Sequence, residues 1–294
     1  MNNLSTRKIM RYIAIYLTMF IALLWALLPI YWIIVSSIST RAELYSRPYK
    51  HWIPSSPTLQ NFIDVLSTGQ QYRAGSYLPT AELLAAGLRN SAIVSLATAL
   101  VVTFTATLAG YTFARLHFRG RDFAFFYIML MIPLPIWVSL VSLYFVLAEA
   151  KLTDTNLGLI LVLSTLFTPL AVWLMSTFIR DVPVEIEESA FIDGANRWQA
   201  LMRIVFPLVL PGMSSVFLVT FLNSWNAFLI PLIFTNTTRS QSITVVLSLF
   251  VGQYEVAWEQ MASATVLVMI PPILLALFFQ RYLVRGLSMG AIKG

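Results

Sequence analysis

Six long stretches of this chain contain no Asp, Glu, Lys, Arg or His: Ile13–Val35, Asn90–Phe113, Phe123–Leu147, Leu157–Ile179, Leu208–Phe234 and Met261–Phe279. Each is about as long as the ~20 apolar residues that carry a helix across a bilayer. In hydrocarbon every backbone N–H and C=O must be satisfied within the protein, and a helix does this segment by segment. A water-soluble domain of 294 residues would need a larger charged fraction than the 11% found here. The runs predict an all-α integral membrane protein with six transmembrane helices. One membrane domain spanning 1–294 is the simplest organisation, with no internal repeat and no low-complexity tract. Arg7, Lys8 and Arg11 precede the first run as they would in a signal peptide. That run is too long for a signal sequence and lacks an A-x-A-like cleavage site, so it reads as a retained helix.

Basic residues set the orientation. With the N-terminus in the cytoplasm, the inside segments carry twelve Lys and Arg and the outside segments seven. Most of the seven lie in or beside the long loop 39–89, where charge constrains topology less. The short connection "ARLHFRGRD" is the clearest signal. Both termini are therefore expected to be cytoplasmic. The net charge of +6 is an orientation signal and gives no reason to invoke nucleic acid. The chain has no cysteine, and His51 and His117 fall on opposite sides of the membrane in this topology. Neither a thiolate site nor a shared histidine metal site is available.

The uncharged runs also narrow the mechanism. Ion-coupled transporters usually carry a titratable or cation-binding group at membrane depth, and membrane enzymes need a general base or a metal cluster. Sodium sites built from carbonyls and hydroxyls keep an ion-coupled secondary transporter open as an alternative. A P-loop requires Gly-Lys before Ser or Thr, and none of the four lysines follows a glycine. If ATP drives this protein, another chain hydrolyses it and must grip this one.

One segment is suited to being gripped. Five of the thirteen acids lie between Asp181 and Asp193. Asp181 or Val182 can cap a helix with Pro183 in its first turn and Glu185, Glu187 and Glu188 near its positive end. Asp193-Gly194 supplies a turn. Asn196 can cap a second helix whose Trp198, Leu201, Met202 and Val205 form one apolar face. Pro207 and Pro211 mark a bend into the next membrane helix. The segment 181–207 thus reads as a short amphipathic elbow. It could lie on lipid headgroups, but its acids suit an anionic surface poorly, which favours a protein partner.

The pattern Glu188-Ser189-Ala190, three residues, Gly194, nine residues, Ile204-Val-Phe-Pro207 resembles the EAA loop of ABC-importer permeases. Ser189 replaces the middle Ala and Phe206 replaces Leu, both mild changes. The resemblance extends over nearly the whole chain. "HWIPSSPTLQNFIDVL", "LRNSAIVSLATALVVTFTATLAGYTFARLHFRGR", "NSWNAFLIPLIF" and "GLSMGAIKG" are similar to segments of maltose-type carbohydrate permeases, in particular the smaller, MalG-like subunit. It implies a multi-pass protein of a bacterial or archaeal cytoplasmic membrane. It further implies a second, MalF-like permease subunit, two ATPase subunits that bind ATP and Mg, and a solute-binding protein. In that family the loop glutamate, here Glu188, faces a basic residue of the ATPase, and the tail Gly286–Gly294 reaches toward the ATPase dimer interface. Glu187, Asp193 and Trp198 fall within the same coupling loop. The function implied is import of a sugar or oligosaccharide, with a glycerophosphodiester or polyol as the alternative cargo.

The route itself is less sharply drawn. Pro133, Pro135, Pro169, Pro231, Pro271 and Pro272 interrupt four runs and can kink or gate them. Asn223 and Asn226 share a face at i, i+3 within the fifth run and must find polar partners. They can line a sugar pathway with Trp225 for ring stacking, or bond to a neighbouring helix. Ser139, Ser142 and Tyr144 are weaker candidates of the same kind.

Overall fold

The computed structural model describes residues 2–46, 52–68, 72–73, 76–135, 137–252 and 255–291. His51 and the last three residues of the C-terminal tail lie outside them. Apart from one two-residue-by-two-residue hairpin and an isolated antiparallel bridge between Val251 and Val256, the described residues form helices and connecting turns.

Five helices are long and apolar enough to cross a membrane: Met10–Ile38, Ala81–Arg115, Asn156–Arg180, Arg197–Trp225 and Trp258–Gln280. They lie in α1 (Asn2–Ile38), α4 (Ala81–Arg115), α7 (Asn156–Arg180), the continuous helix 197–225 and α13 (Trp258–Ala291). The third uncharged run forms two shorter helices, α5 (Arg121–Leu130) and α6 (Trp137–Glu149). Pro133 and Pro135 explain the break, since each lacks an N–H and disfavours helix at the residue before it. The fifth run also divides. After α10 (Phe206–Trp225) the chain turns and resumes as α11 (Leu229–Phe234). Helix α13 carries the tail on as far as Ala291, well past the end of the uncharged run at Phe279.

The chain packs as two units, Met1–Glu82 with Leu247–Met269, and Leu83–Val246 with Ile270–Gly294. In the first, the described side chains of α1 are exposed along most of the helix and become buried at Val35–Ser37, as does Ser39 just past its end. There Asn61, on α3 (Gln60–Val65), donates to the carbonyls of Ser37 and Ser39, both at 2.9 Å, and Ser263 donates to Ser37 at 3.0 Å. These bonds satisfy the carbonyls that a helix end leaves over. Helix α2 (Arg41–Tyr45) starts with a capping box between Thr40 and Glu43. Arg41 pairs with Glu255, and Tyr45 donates to the carbonyl of Val256. The hairpin pairs Tyr72 with Tyr77 and Arg73 with Ser76.

In the second unit α4 presents a buried stripe of small residues that includes Ser91, Ser95, Thr98, Ala99, Ala106 and Gly110. Small side chains let membrane helices approach closely. A Cβ on Gly110 would lie 2.9 Å from both Met175 Cβ and Ser176 N of α7, so only glycine permits this approach. One apolar core joins Val102, Ala106 and Phe113 to Met175, Ile179, Leu201, Val205 and Val209. A second joins Val94, Leu140, Leu159, Leu163, Ile230 and Phe234.

The connection before α7 is fastened by a carboxylate. Asp154, left-handed at φ 55, accepts from the amides of Asn236 and Thr237 at 2.9 and 3.0 Å and from the hydroxyls of Thr237 and Ser240 at 2.6 Å. Partial burial would raise its pKa, but the hydroxyls and amides outweigh that and hold it down at about 2. Asn90 adds to the fastening by donating to the carbonyls of Thr238 and Gln241 at 3.0 and 3.1 Å.

Candidate functional site

The segment 181–207 folds as an elbow at the end of α7, and its local signals account for its shape. Helix α8 runs Val184–Ile192. It begins one residue later than expected. Pro183 occupies the cap position itself, while Asp181 ends α7 and Val182 is buried. No side chain caps α8, and Glu185 and Glu187 in its first turn complement the helix dipole instead.

Helix α8 stops in a Schellman motif. Ala195 N–H donates to Ala190 O at 2.9 Å and Gly194 N–H to Phe191 O at 3.1 Å. Gly194 has φ +85, a conformation that costs other residues energy. Asn196 then caps the second helix as expected, in a full capping box. Its side chain accepts from Gln199 N at 2.8 Å, and Gln199 Oε1 accepts from Asn196 N at 2.9 Å.

The second helix does not end where the prolines suggested a bend. A single α turn, α9 (Arg197–Ala200), passes into a π-helical turn at Leu201–Val205 and then into α10. Phe206 N–H reaches five residues back, to Leu201 O. Pro207 has no N–H to close the next α turn on Arg203, and the wider turn accommodates that gap. The elbow and α10 are therefore one continuous helical body. The predicted apolar face is divided: Leu201 and Val205 are buried in the core, whereas Trp198 and Met202 are exposed.

The acids divide in the same way. Glu187 is 3% exposed and pairs with Arg115 at 2.5 Å, while Tyr111 donates to its other oxygen at 3.1 Å. Its basic partner is thus inside the chain, against the expectation that the elbow acids await an external one. Glu185, Glu188, Ser189 and Asp193 are exposed, together with Gly194, Pro207 and Ile192, the last 86% exposed. Ala190 is buried and Ile204 half-buried. The outer surface of α8 therefore carries carboxylates beside bare apolar side chains. That combination suits a protein partner offering basic groups around an apolar recess.

The pathway candidates separate as well. Trp225 is 3% exposed and stacked on Phe221, with ring centroids 5.6 Å apart. It is core packing and offers no free face for a sugar ring. Asn226 ends α10, is exposed, and donates to Leu222 O at 2.9 Å. Asn223 lines a groove of about 550 Å³ with Met131, Leu134, Leu163, Phe167 and Ile230. Ser139 and Tyr144 are exposed on α6, where Tyr144 packs against Phe145 and Phe234. Among the described residues no group of His, Asp and Glu could hold a metal ion. Sequence reasoning did not single out Arg115, Tyr111, Asn90 or Asp154. Only "ARLHFRGRD" drew attention to Arg115, and as an orientation signal.

Residues 103–289 match the family described as "Binding-protein-dependent transport system inner membrane component". A probable ABC transporter permease of Pyrococcus horikoshii is 33% identical over 91% of this chain and 92% of its own length. The trehalose/maltose transport system permease of Thermococcus litoralis is 31% identical over 91% and 92%. The sulfoquinovosyl glycerol transport system permease of Agrobacterium fabrum is 30% identical over 93% and 91%. In fold, the chain is similar to the crystal structure of a bacterial ABC transporter involved in import of the acidic polysaccharide alginate. The TM-score is 0.75 at 19% identity, covering 95% of this chain and 98% of that one. With residues 103–289 matched by that family and a relative 33% identical over 91% of the chain, the chain belongs to the family of binding-protein-dependent inner membrane components, and it is a multi-pass permease subunit of an ABC transporter.

Proposed function

We propose that this permease forms half of the translocation pathway of an importer for a sugar, oligosaccharide or sugar derivative handed over by a solute-binding protein. A second, MalF-like permease supplies the other half. Two ATPase subunits bind ATP and Mg on the cytoplasmic side. The protein resides in the cytoplasmic (inner) membrane, with α5 and α6 together making a sixth crossing and both termini inside. The excess of Lys and Arg on the elbow side supports that orientation.

The observation that carries the reading is the outward face of α8. Glu185, Glu188, Ser189 and Ile192 stand exposed on a helix bound at both ends to the membrane-spanning part. A force applied there by an ATPase passes directly into α7 and α10. The sugar class rests on the relatives named for trehalose and maltose and for sulfoquinovosyl glycerol. Within the pathway, Asn223 is the side chain we assign to the route, because it opens on a groove of about 550 Å³.

Proteoliposomes holding the complete complex test this reading. Uptake of radiolabelled di- and oligosaccharides that requires both internal-face ATP and the binding protein is the expected result. Uptake driven by an ion gradient without ATP would overturn it.

A further inference from the structure

Four groups meet behind the elbow. Arg115 is the last residue of α4. Its Nε donates to Glu187 Oε1 at 2.5 Å and its Nη2 to the carbonyl of Val182 at 2.5 Å. Tyr111, one turn earlier on the same face, donates to Glu187 Oε2 at 3.1 Å. Both oxygens of the carboxylate are thus held by α4. The guanidinium in turn is forked between α8 and Val182, in the short link from α7 to α8. The pair is shielded from solvent, with side-chain exposures of 9% and 3%.

Stability alone is a poor explanation for such a pair. Two buried charges lose much of their hydration, and apolar side chains of similar volume do as well or better. What a forked guanidinium adds is direction, because its donors fit a carboxylate and a carbonyl in only one arrangement. The elbow is tied to α7 and α10 by backbone, through 181–183 and through the continuous helix 197–225. Helix α4 is joined to the elbow by side chains alone, and this cluster is the polar, orientation-fixing part of that joint.

We propose that Arg115 and Tyr111 are positioning residues that lock α4 to the elbow through Glu187, so that a displacement of the elbow carries α4 with it. The proposal rests on the reading that the outer face of α8 docks on an ATPase subunit. The two adjacent glutamates then divide the work. Glu188 meets the partner, and Glu187 passes the movement inward. The contact at Gly110 holds α4 against α7 a turn further along, so the locked helices shift as one block.

The test uses the assembled complex in nanodiscs, with no substrate needed. Leu100 on α4 and Arg203 on the second helix of the elbow are both exposed, neither lies on the docking face of α8, and the chain has no native cysteine to interfere. Spin labels at Leu100→Cys and Arg203→Cys report the separation of α4 and the elbow, without nucleotide and with ATP plus vanadate. In the native background that separation is expected to stay constant. In the paired variant Arg115→Leu with Glu187→Leu it is expected to shift on adding nucleotide, while the ATPase subunits still co-purify. A purely structural ion pair predicts that the paired variant behaves like the native chain, and that result overturns the proposal. So does a native separation that already changes with nucleotide. If the paired variant fails to co-purify, the isosteric Glu187→Gln reads the same distance, with the same two outcomes. The docking reading is checked separately by a maleimide on Ser189→Cys. Protection by the ATPase subunits upholds it. Equal labelling with and without them sinks the docking reading and the proposal together.

Discussion

Replacing Glu187 by alanine strands the Arg115 guanidinium in a buried site, whereas replacing Glu188 removes only an exposed charge. Breaking one half of a buried pair costs roughly 3–5 kcal/mol. Glu187→Ala is therefore expected to lower the thermal stability of the detergent-solubilised chain sharply, and Glu188→Ala to leave it within about 0.5 kcal/mol of native. Equal melting temperatures for the two variants would refute this division. A second residue-scale prediction concerns Asp154. Its pKa is lowered to about 2 from 3.8, so it is ionised in the folded chain where the unfolded chain has begun to protonate. The stability it contributes is present in full above pH 4 and fades as the pH falls toward 2. Asp154→Asn keeps a residue tolerant of the left-handed backbone but removes the titration. Its melting temperature should fall less than the native one between pH 5 and pH 3; a parallel fall means the carboxylate is not the responsive group.

At the scale of elements, the elbow is set by two local devices and one long-range one. Gly194 closes α8 at φ +85 with open space around it, so the obstacle to substitution there is backbone strain and not volume. Gly194→Asn should retain binding-protein-stimulated ATP hydrolysis, while Gly194→Val should lose most of it, because a β-branched residue is a poor fit to that conformation. Comparable activity of the two would show that the turn is not required. At Gly110 the obstacle is volume. Gly110→Val drives a side chain into the backbone of Ser176 and should cost about 1–3 kcal/mol or more, read as a lower yield of folded protein in detergent. The local devices were legible in the sequence, since Asp193-Gly194 and the Asn196–Gln199 box act over a few residues. The long-range one was not. Arg115 and Glu187 are 72 positions apart, and nothing in either neighbourhood announces the other. Spans were legible as apolar runs, yet hydropathy is blind to hydrogen bonding. It therefore could not show that the fifth run turns at Asn226, whereas the break of the third was legible in Pro133 and Pro135. The packing of Trp225 was hidden for a related reason. Helical periodicity gave it a position beside two asparagines, but burial on Phe221 depends on packing that one helix does not reveal.

At the scale of the whole molecule, the proposed coupling runs from the elbow into a helical membrane body. Orientation can be checked with single cysteines, the native chain having none. Arg119→Cys should react with an impermeant maleimide only after the membrane is opened, and Arg239→Cys in sealed spheroplasts; the opposite pattern would invert the topology. The central claim is that the outer face of α8 converts ATP hydrolysis on a partner into movement here. Purified complex carrying Glu188→Ala tests it most directly, with uptake and binding-protein-stimulated ATP hydrolysis followed in the same vesicles. A desolvated charge pair that loses one member typically costs ~2–5 kcal/mol at an interface. Uptake and stimulated hydrolysis are expected to fall together while the permease remains inserted and folded. Native rates of both in Glu188→Ala would contradict that claim.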